Sequence, residues 1–173
     1  MRGTIGLTAA LVAVSVGCSS PDIDRGALAG DERAAAVYEV ILDRLIADEP
    51  GIGGEEQADW VLFVATRSEE VIDIDVQVGV VAALEPAVEV RFIDDQTEAI
   101  DTELEDQPVR DLGLLVGLGA VPPDGDTVEV YADRYRNANQ IAAWQFTVSL
   151  VEGSWELTGP PATTDVRLVP PGD

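Results

Sequence analysis

The chain has 173 residues, 46% of them hydrophobic, with 33 acidic residues against ten basic ones and a net charge of −23. All ten basic residues are arginine, and the sequence holds one cysteine and no histidine. This composition excludes an intramolecular disulfide, thiolate clusters, histidine-dependent triads and nearly every zinc site, and the charge opposes binding to nucleic acid or anionic lipid headgroups.

Residues 1–17 have the layout of a secretory signal peptide. Arg2 gives a positive start, an apolar segment runs from Ile5 to Val16, and small residues precede Cys18. A helix of that apolar length spans only about 18 Å, against a hydrocarbon core of about 30 Å. The sequence therefore predicts a cleaved leader and not a permanent transmembrane helix.

Cys18 is the candidate modification site. The residues "SVGC" resemble a bacterial lipoprotein box, in which the cysteine thiol is acylated, as by palmitate, and becomes the first residue after cleavage. The usual box has leucine where this chain has Ser15, and Ser15-Val16-Gly17 also fits an ordinary secretory cleavage site. We therefore expect an extracytoplasmic protein held in the cell membrane by acyl chains on Cys18, with secretion without an anchor as the alternative.

The rest of the sequence predicts a flexible linker followed by a single domain. Residues 18–30 are polar and contain Pro and Gly, which favours a flexible linker. Residues 31–169 have the length of a single domain without internal repeats, and residues 170–173 form a tail.

The first elements of this domain are a helix and a buried strand. Apolar residues recur at helical spacing from Ala34 to Leu45, acidic residues stand at the helix start, and Pro50-Gly51 ends it. Residues 60–65 are apolar with β-branched and aromatic side chains, which indicates a strand that is covered on both faces and central in a sheet.

The next segment has two interpretations. Alternating apolar residues from Ile72 to Val80 fit a strand, whereas residues 75–85 fit a short helix capped by Asp75, and we favour the helix. Alternation of Val88, Val90 and Phe92 then predicts a strand with these side chains inward.

An acidic loop, residues 94–111, precedes a run of strands joined by short turns. These strands are expected within 112–121, 127–135, 142–150, 155–159 and 165–169. The order predicts an α+β fold: an N-terminal helix, a strand, a short helix, then a mostly antiparallel sheet ending in a β-meander, with the helices on one face.

The stretches "LLVGLGAV", "VEVYADRY" and "WQFTVSLVEGSWELTG" together resemble a domain type of uncharacterised bacterial proteins, particularly actinobacterial predicted lipoproteins. The resemblance covers about residues 31–160 and rests on hydrophobic rhythm and a "GSW" hairpin. It implies a fold and an export class, and it carries no activity and no site residues.

Several chemical candidates have simpler structural explanations. The acidic loop lacks the order of a calcium-binding EF-hand loop and is better explained as a solvated charge run. Gly113, Gly117 and Gly119 lack a phosphate-loop pattern and indicate close packing or a bulge in a strand. We therefore expect no metal site and no cofactor.

One strand suggests a contact surface. If residues 142–150 bury their Trp144 face, then Glu129, Tyr131, Asp133 and Tyr135 share the opposite side of the neighbouring strand. An aromatic and acidic face of this kind is a weak candidate for contact with an unknown protein or small-molecule partner, and a merely solvated sheet face is the simpler interpretation.

Two functional hypotheses remain. The favoured one is a non-enzymatic, lipid-anchored binding or scaffolding domain at the cell envelope, because histidine, nucleophile motifs and metal motifs are lacking. The alternative is a small hydrolase that uses a pair of carboxylates, but in a chain with 33 acids some pairs at a suitable distance are expected by chance.

Overall fold

The computed structural model describes residues 30–49, 60–67, 71–85 and 87–166. Two α-helices and seven strands fall within these ranges. In chain order they are α1 (Gly30–Ala47), β1 (Val61–Thr66), α2 (Ile74–Leu84), β2 (Glu89–Ile93), β3 (Leu114–Leu118), β4 (Thr127–Asn137), β5 (Gln140–Val151), β6 (Ser154–Leu157) and β7 (Ala162–Thr163). The predicted α+β class is confirmed.

The strands form one mixed sheet in the order β2-β1-β3-β4-β5-β6, with β7 beside β5. The strands from β3 to β6 are antiparallel neighbours joined as the predicted meander. β1, however, runs parallel to both β2 and β3. Parallel strands need a crossover connection, and α2 provides it between β1 and β2.

Both helices cover one face of the sheet. α1 buries Val37, Ile41 and Leu45 at helical spacing, against sheet residues such as Val64 and Phe146. The described part of β1 is buried on both faces, as predicted, because it pairs on either side and each face is covered. Among the described segments, no helix combines the length and apolarity needed to cross a membrane.

Residues 74–84 are helical, which confirms the favoured interpretation of that segment. The predicted cap, Asp75, is wrong by two residues, because Asp73 caps the helix. The Asp73 carboxylate accepts the backbone N–H of Asp75 at 2.9 Å. The alternating pattern arose because α2 is apolar on its outer face too, where Ile74 and Val78 are largely exposed.

The acidic loop covers the other face of the sheet. Ile100 and Val109 pair with each other and pack with Phe63, Leu115 and Tyr135 in a second hydrophobic core. Most acidic side chains of the loop point outward and are exposed, as expected for a solvated charge run. The loop therefore packs its apolar residues against this face of the sheet and exposes its acidic residues to solvent.

The end of the sheet differs in detail from expectation. The last strand is β7, so residues 165 and 166 are not in a strand, and residues 167–169 lie outside the described ranges. Trp144 and Trp155 both contact the main core; Leu150 is opposite Trp155 in the β5–β6 ladder, and the Trp144 ring centroid lies 6.3 Å from that of Phe146.

Candidate functional site

The prediction that Glu129, Tyr131, Asp133 and Tyr135 form an exposed contact surface on β4 is wrong. Glu129 is exposed, but Tyr131, Asp133 and Tyr135 are buried. The alternation along β4 was interpreted correctly, since these residues do lie opposite the helix-covered side. What the sequence did not show is the cover over that face.

Two tyrosine hydroxyl groups of β4 contact the backbone of the segments that cover this face. The Tyr135 hydroxyl donates to the backbone carbonyl of Gln107 in the acidic loop at 2.8 Å. The Tyr131 hydroxyl donates to the Asp133 carboxylate at 2.9 Å and lies 3.4 Å from the backbone carbonyl of Asp165, beyond β7. Both tyrosine hydroxyls therefore make their hydrogen bonds inside the folded chain.

Asp133 is the centre of a buried polar cluster. It is 0% exposed, and its Oδ1 lies 3.2 Å from Nε of Arg67, whose side chain is 14% exposed. Burial raises the pKa of the Asp133 carboxyl above its ordinary value, because the loss of solvation outweighs the opposing effect of Arg67 and of the Tyr131 hydroxyl.

Gly117 makes room for this ion pair. It stands opposite Asp133 in the β3–β4 ladder, and a Cβ built at position 117 would overlap both the Arg67 and the Asp133 side chains. The prediction that the glycines of this strand permit close packing is confirmed at this position. Because Asp133 is wholly enclosed, a substrate in solvent does not reach it, and the ion pair has the properties of a structural element.

A concave feature, which we call the arginine pocket, lies between the end of α1 and the β4–β5 hairpin. It has a volume of about 410 Å³ and is lined by Glu49, Arg134, Arg136, Gln140, Ile141 and Ala142. Arg134 and Arg136 alternate along β4 on the helix-covered side, where that strand runs past the end of α1. Glu49 follows α1 directly, so the pocket joins the helix end to the β4–β5 hairpin.

Two guanidinium groups share one carboxylate in the arginine pocket. Nη1 of Arg134 lies 2.8 Å from Oε2 of Glu49, and Nη1 of Arg136 lies 3.0 Å from Oε1. The Arg134 guanidinium also stacks over the Trp144 ring, 5.4 Å from its centroid. The Arg134 and Arg136 side chains remain 22% and 25% exposed, whereas that of Glu49 is 7% exposed.

Two smaller clefts lie near the carboxyl ends of strands β1, β2 and β3, at the end of the sheet opposite to the arginine pocket. One, of about 310 Å³, is lined by residues that include Thr66, Gln77, Asp94 and Glu98. The Glu98 carboxylate is already engaged there, because it accepts the backbone N–H of Asp95 in a capping box. The second cleft, of about 120 Å³, lies between the starts of the two helices.

The helix starts also bring three carboxylates together, those of Asp31, Asp73 and Asp75. All three are exposed, and Asp73 already accepts an N–H as the cap of α2. Within the described ranges this is the one group of acids close enough to share a cation, and none lies in the acidic loop. Nothing else at this position points to a metal.

Sequence reasoning missed the arginine pocket. A signal existed, since Arg134 and Arg136 are two cations at strand spacing in a chain that has few. Their partner Glu49 stands more than 80 residues earlier, and only the tertiary fold brings it to them.

Cys18, the predicted acylation site, lies outside the described residues, and its modification stays a prediction. Comparison of the chain with known protein families, with curated proteins and with solved structures finds no match.

Proposed function

We propose that this chain is an exported domain, anchored at the cell envelope by acyl chains on Cys18, that binds a partner and does not catalyse a reaction. The observation that carries the anchoring is the leader ending in "SVGC", followed by a polar linker. The described chain has two hydrophobic cores and its first helix begins at Gly30, so eleven residues after Cys18 would separate that helix from the membrane.

The state of the buried acids supports binding over catalysis. Asp133 and Glu49 are the two buried acidic residues of the described chain, and each is held by arginine. A carboxylate that acts as general acid or base must exchange its proton with a substrate. Asp133 is enclosed, and each Glu49 oxygen forms an ion pair with an arginine at 2.8 or 3.0 Å, an environment that favours its charged form and not proton exchange.

Metabolic labelling tests the anchor. The full chain and its Cys18→Ala variant are expressed in a bacterium that is fed a labelled fatty acid, and the membrane fraction is analysed. We expect label and membrane association for the wild type and neither for the variant. Ser20→Ala, two residues away, serves as the control and should behave as the wild type. Label on both the wild type and Cys18→Ala, or on neither, would refute the proposed anchor.

The hydrolase alternative is tested on the same purified chain. Asp94→Asn and Glu98→Gln remove the candidate carboxylates of the cleft of about 310 Å³. They should leave any trace hydrolysis of ester or glycoside probes unchanged. A loss of activity in these variants would instead identify an enzyme and contradict the binding proposal.

A further inference from the structure

The charge distribution of the described arginines is uneven. Arg44 and Arg67 each face one acid, and Arg91 faces two, Glu89 and Asp111. Two others, Arg33 and Arg110, donate to backbone carbonyls. The arginine pocket is the place in the described chain where two arginines converge on a single carboxylate, which leaves a local excess of one positive charge.

This excess lies in a recess and not on a flat surface. Both arginine side chains are about three-quarters buried, so they are less hydrated than surface arginines such as Arg44. Charge-assisted hydrogen bonds from arginine to an oxyanion are strong, and the planar guanidinium favours the planar carboxylate. The pocket volume of about 410 Å³ lies in the range of small-molecule sites.

The walls of the recess differ from its charged end. Ala142, which is opposite Arg134 in the ladder, gives an apolar side, Trp144 lies beneath Arg134, and the exposed Gln140 offers an amide. A ligand that fills the recess therefore needs one anionic group for the arginines and an apolar body for the β5 wall.

We propose that the arginine pocket binds the carboxylate of a small organic acid with an apolar body, in which one negative charge matches the net charge of Arg134, Arg136 and Glu49. A phosphate dianion would leave uncompensated negative charge in a chain whose net charge is already −23. The same chemistry is presented by a free organic acid and by the C-terminal residue of a peptide. The inference deepens the proposed binding function by naming the ligand class.

Calorimetric titration of the purified full chain tests this site. The probes are benzoate, as a free acid, and N-acetyl-leucine, which mimics a peptide C-terminus, with inorganic phosphate as the comparison, at about 0.15 M salt. We expect at least one carboxylate to bind more tightly than phosphate, and the better one identifies the source. Arg134→Gln and Arg136→Gln should each weaken that binding about tenfold or more, because each removes a charge-assisted hydrogen bond.

Glu49→Gln gives the sharper result. It removes the anion that competes for both arginines, so carboxylate binding should become several-fold tighter even if the variant is less stable. Arg44→Gln, which removes an exposed arginine paired with Asp48, is the matched control and should bind as the wild type does. Arg134→Lys and Arg136→Lys keep the charge for the case in which the glutamine variants unfold, and they should retain weakened binding.

Three results would overturn the inference. They are no binding of either acid at about 10 mM, equal binding by the wild type and the arginine variants, and weaker binding by Glu49→Gln. Equal binding would show that Arg134, Glu49 and Arg136 serve only to hold α1 against β4, and weaker binding by Glu49→Gln would show that Glu49 does not compete with the ligand for the arginines. Acylation of Cys18 does not affect this titration, so failure here and failure of the anchoring proposal are separate results.

Discussion

Replacing Asp133 by alanine should be among the most destabilising single changes in the described chain. The substitution leaves the Arg67 side chain, 14% exposed, without its carboxylate, and it removes the closer acceptor of the Tyr131 hydroxyl. Breaking a buried ion pair by removing one partner costs about 3–5 kcal/mol, because the remaining charge stays buried without compensation. We expect a loss of that size in the free energy of unfolding.

The pH dependence of the same residue follows from its environment. Since burial raises its pKa, the folded chain holds the Asp133 proton more tightly than the unfolded chain does. The contribution of Asp133 to the free energy of unfolding therefore falls as the pH rises from the ordinary value of 3.8 through the raised pKa. Asp133→Asn keeps the shape of the side chain and cannot titrate, so the stability of the wild type relative to this variant should be greater at the acidic end.

Urea unfolding, followed by tryptophan fluorescence and circular dichroism, measures these effects. Asp48→Ala, which breaks the half-exposed pair with Arg44, is the control and should cost no more than about 1 kcal/mol. Arg67→Met combined with Asp133→Ala should lose less than the two single losses added, because no charge is then stranded. A cost for Asp133→Ala equal to that of Asp48→Ala would refute the assignment of Asp133 as a buried, paired charge.

Two further substitutions test the packing and the helix cap. Gly117→Ala should destabilise the fold by about 1–3 kcal/mol, because the new Cβ displaces Arg67 and Asp133, whereas Gly30→Ala meets no neighbour and should have little effect in the same urea titration; equal losses would contradict the close approach at Gly117. Asp73→Ala should cost about 1 kcal/mol by removing the cap of α2, and Asp75→Ala should cost less in thermal unfolding; the reverse order would show that Asp75 is the effective cap.

Periodic segments of the sequence predicted the fold well where their environment is simple. The stripe of α1 and the alternation of β4 and β5 follow from the face that each turns to the main core, and the apolar residues of that face lie there as expected. The parallel pairing of β1 was not foreseen, because spacing along a strand says nothing about the direction of its neighbours. Helix α2 was ambiguous since it has little polar face to reveal its period.

The sites were less predictable than the fold. The position of Asp133 was inferred correctly, but its burial depends on a loop whose apolar residues, Ala99, Ile100 and Val109, are scattered among acids. No local pattern marks such a loop as a cover. The arginine pocket likewise depends on a contact between Glu49 and a strand far along the chain.

The length of α1 has a consequence for orientation. A helix of 18 residues is about 27 Å long, with Gly30 at one end and the arginine pocket just past the other. A tether attached before Gly30 would therefore hold the acidic helix starts nearest the lipid surface and turn the pocket outward. Repulsion between those acids and anionic headgroups would hold the domain off the lipid surface as far as the linker allows, and ligands would reach the pocket from the side facing away from the membrane.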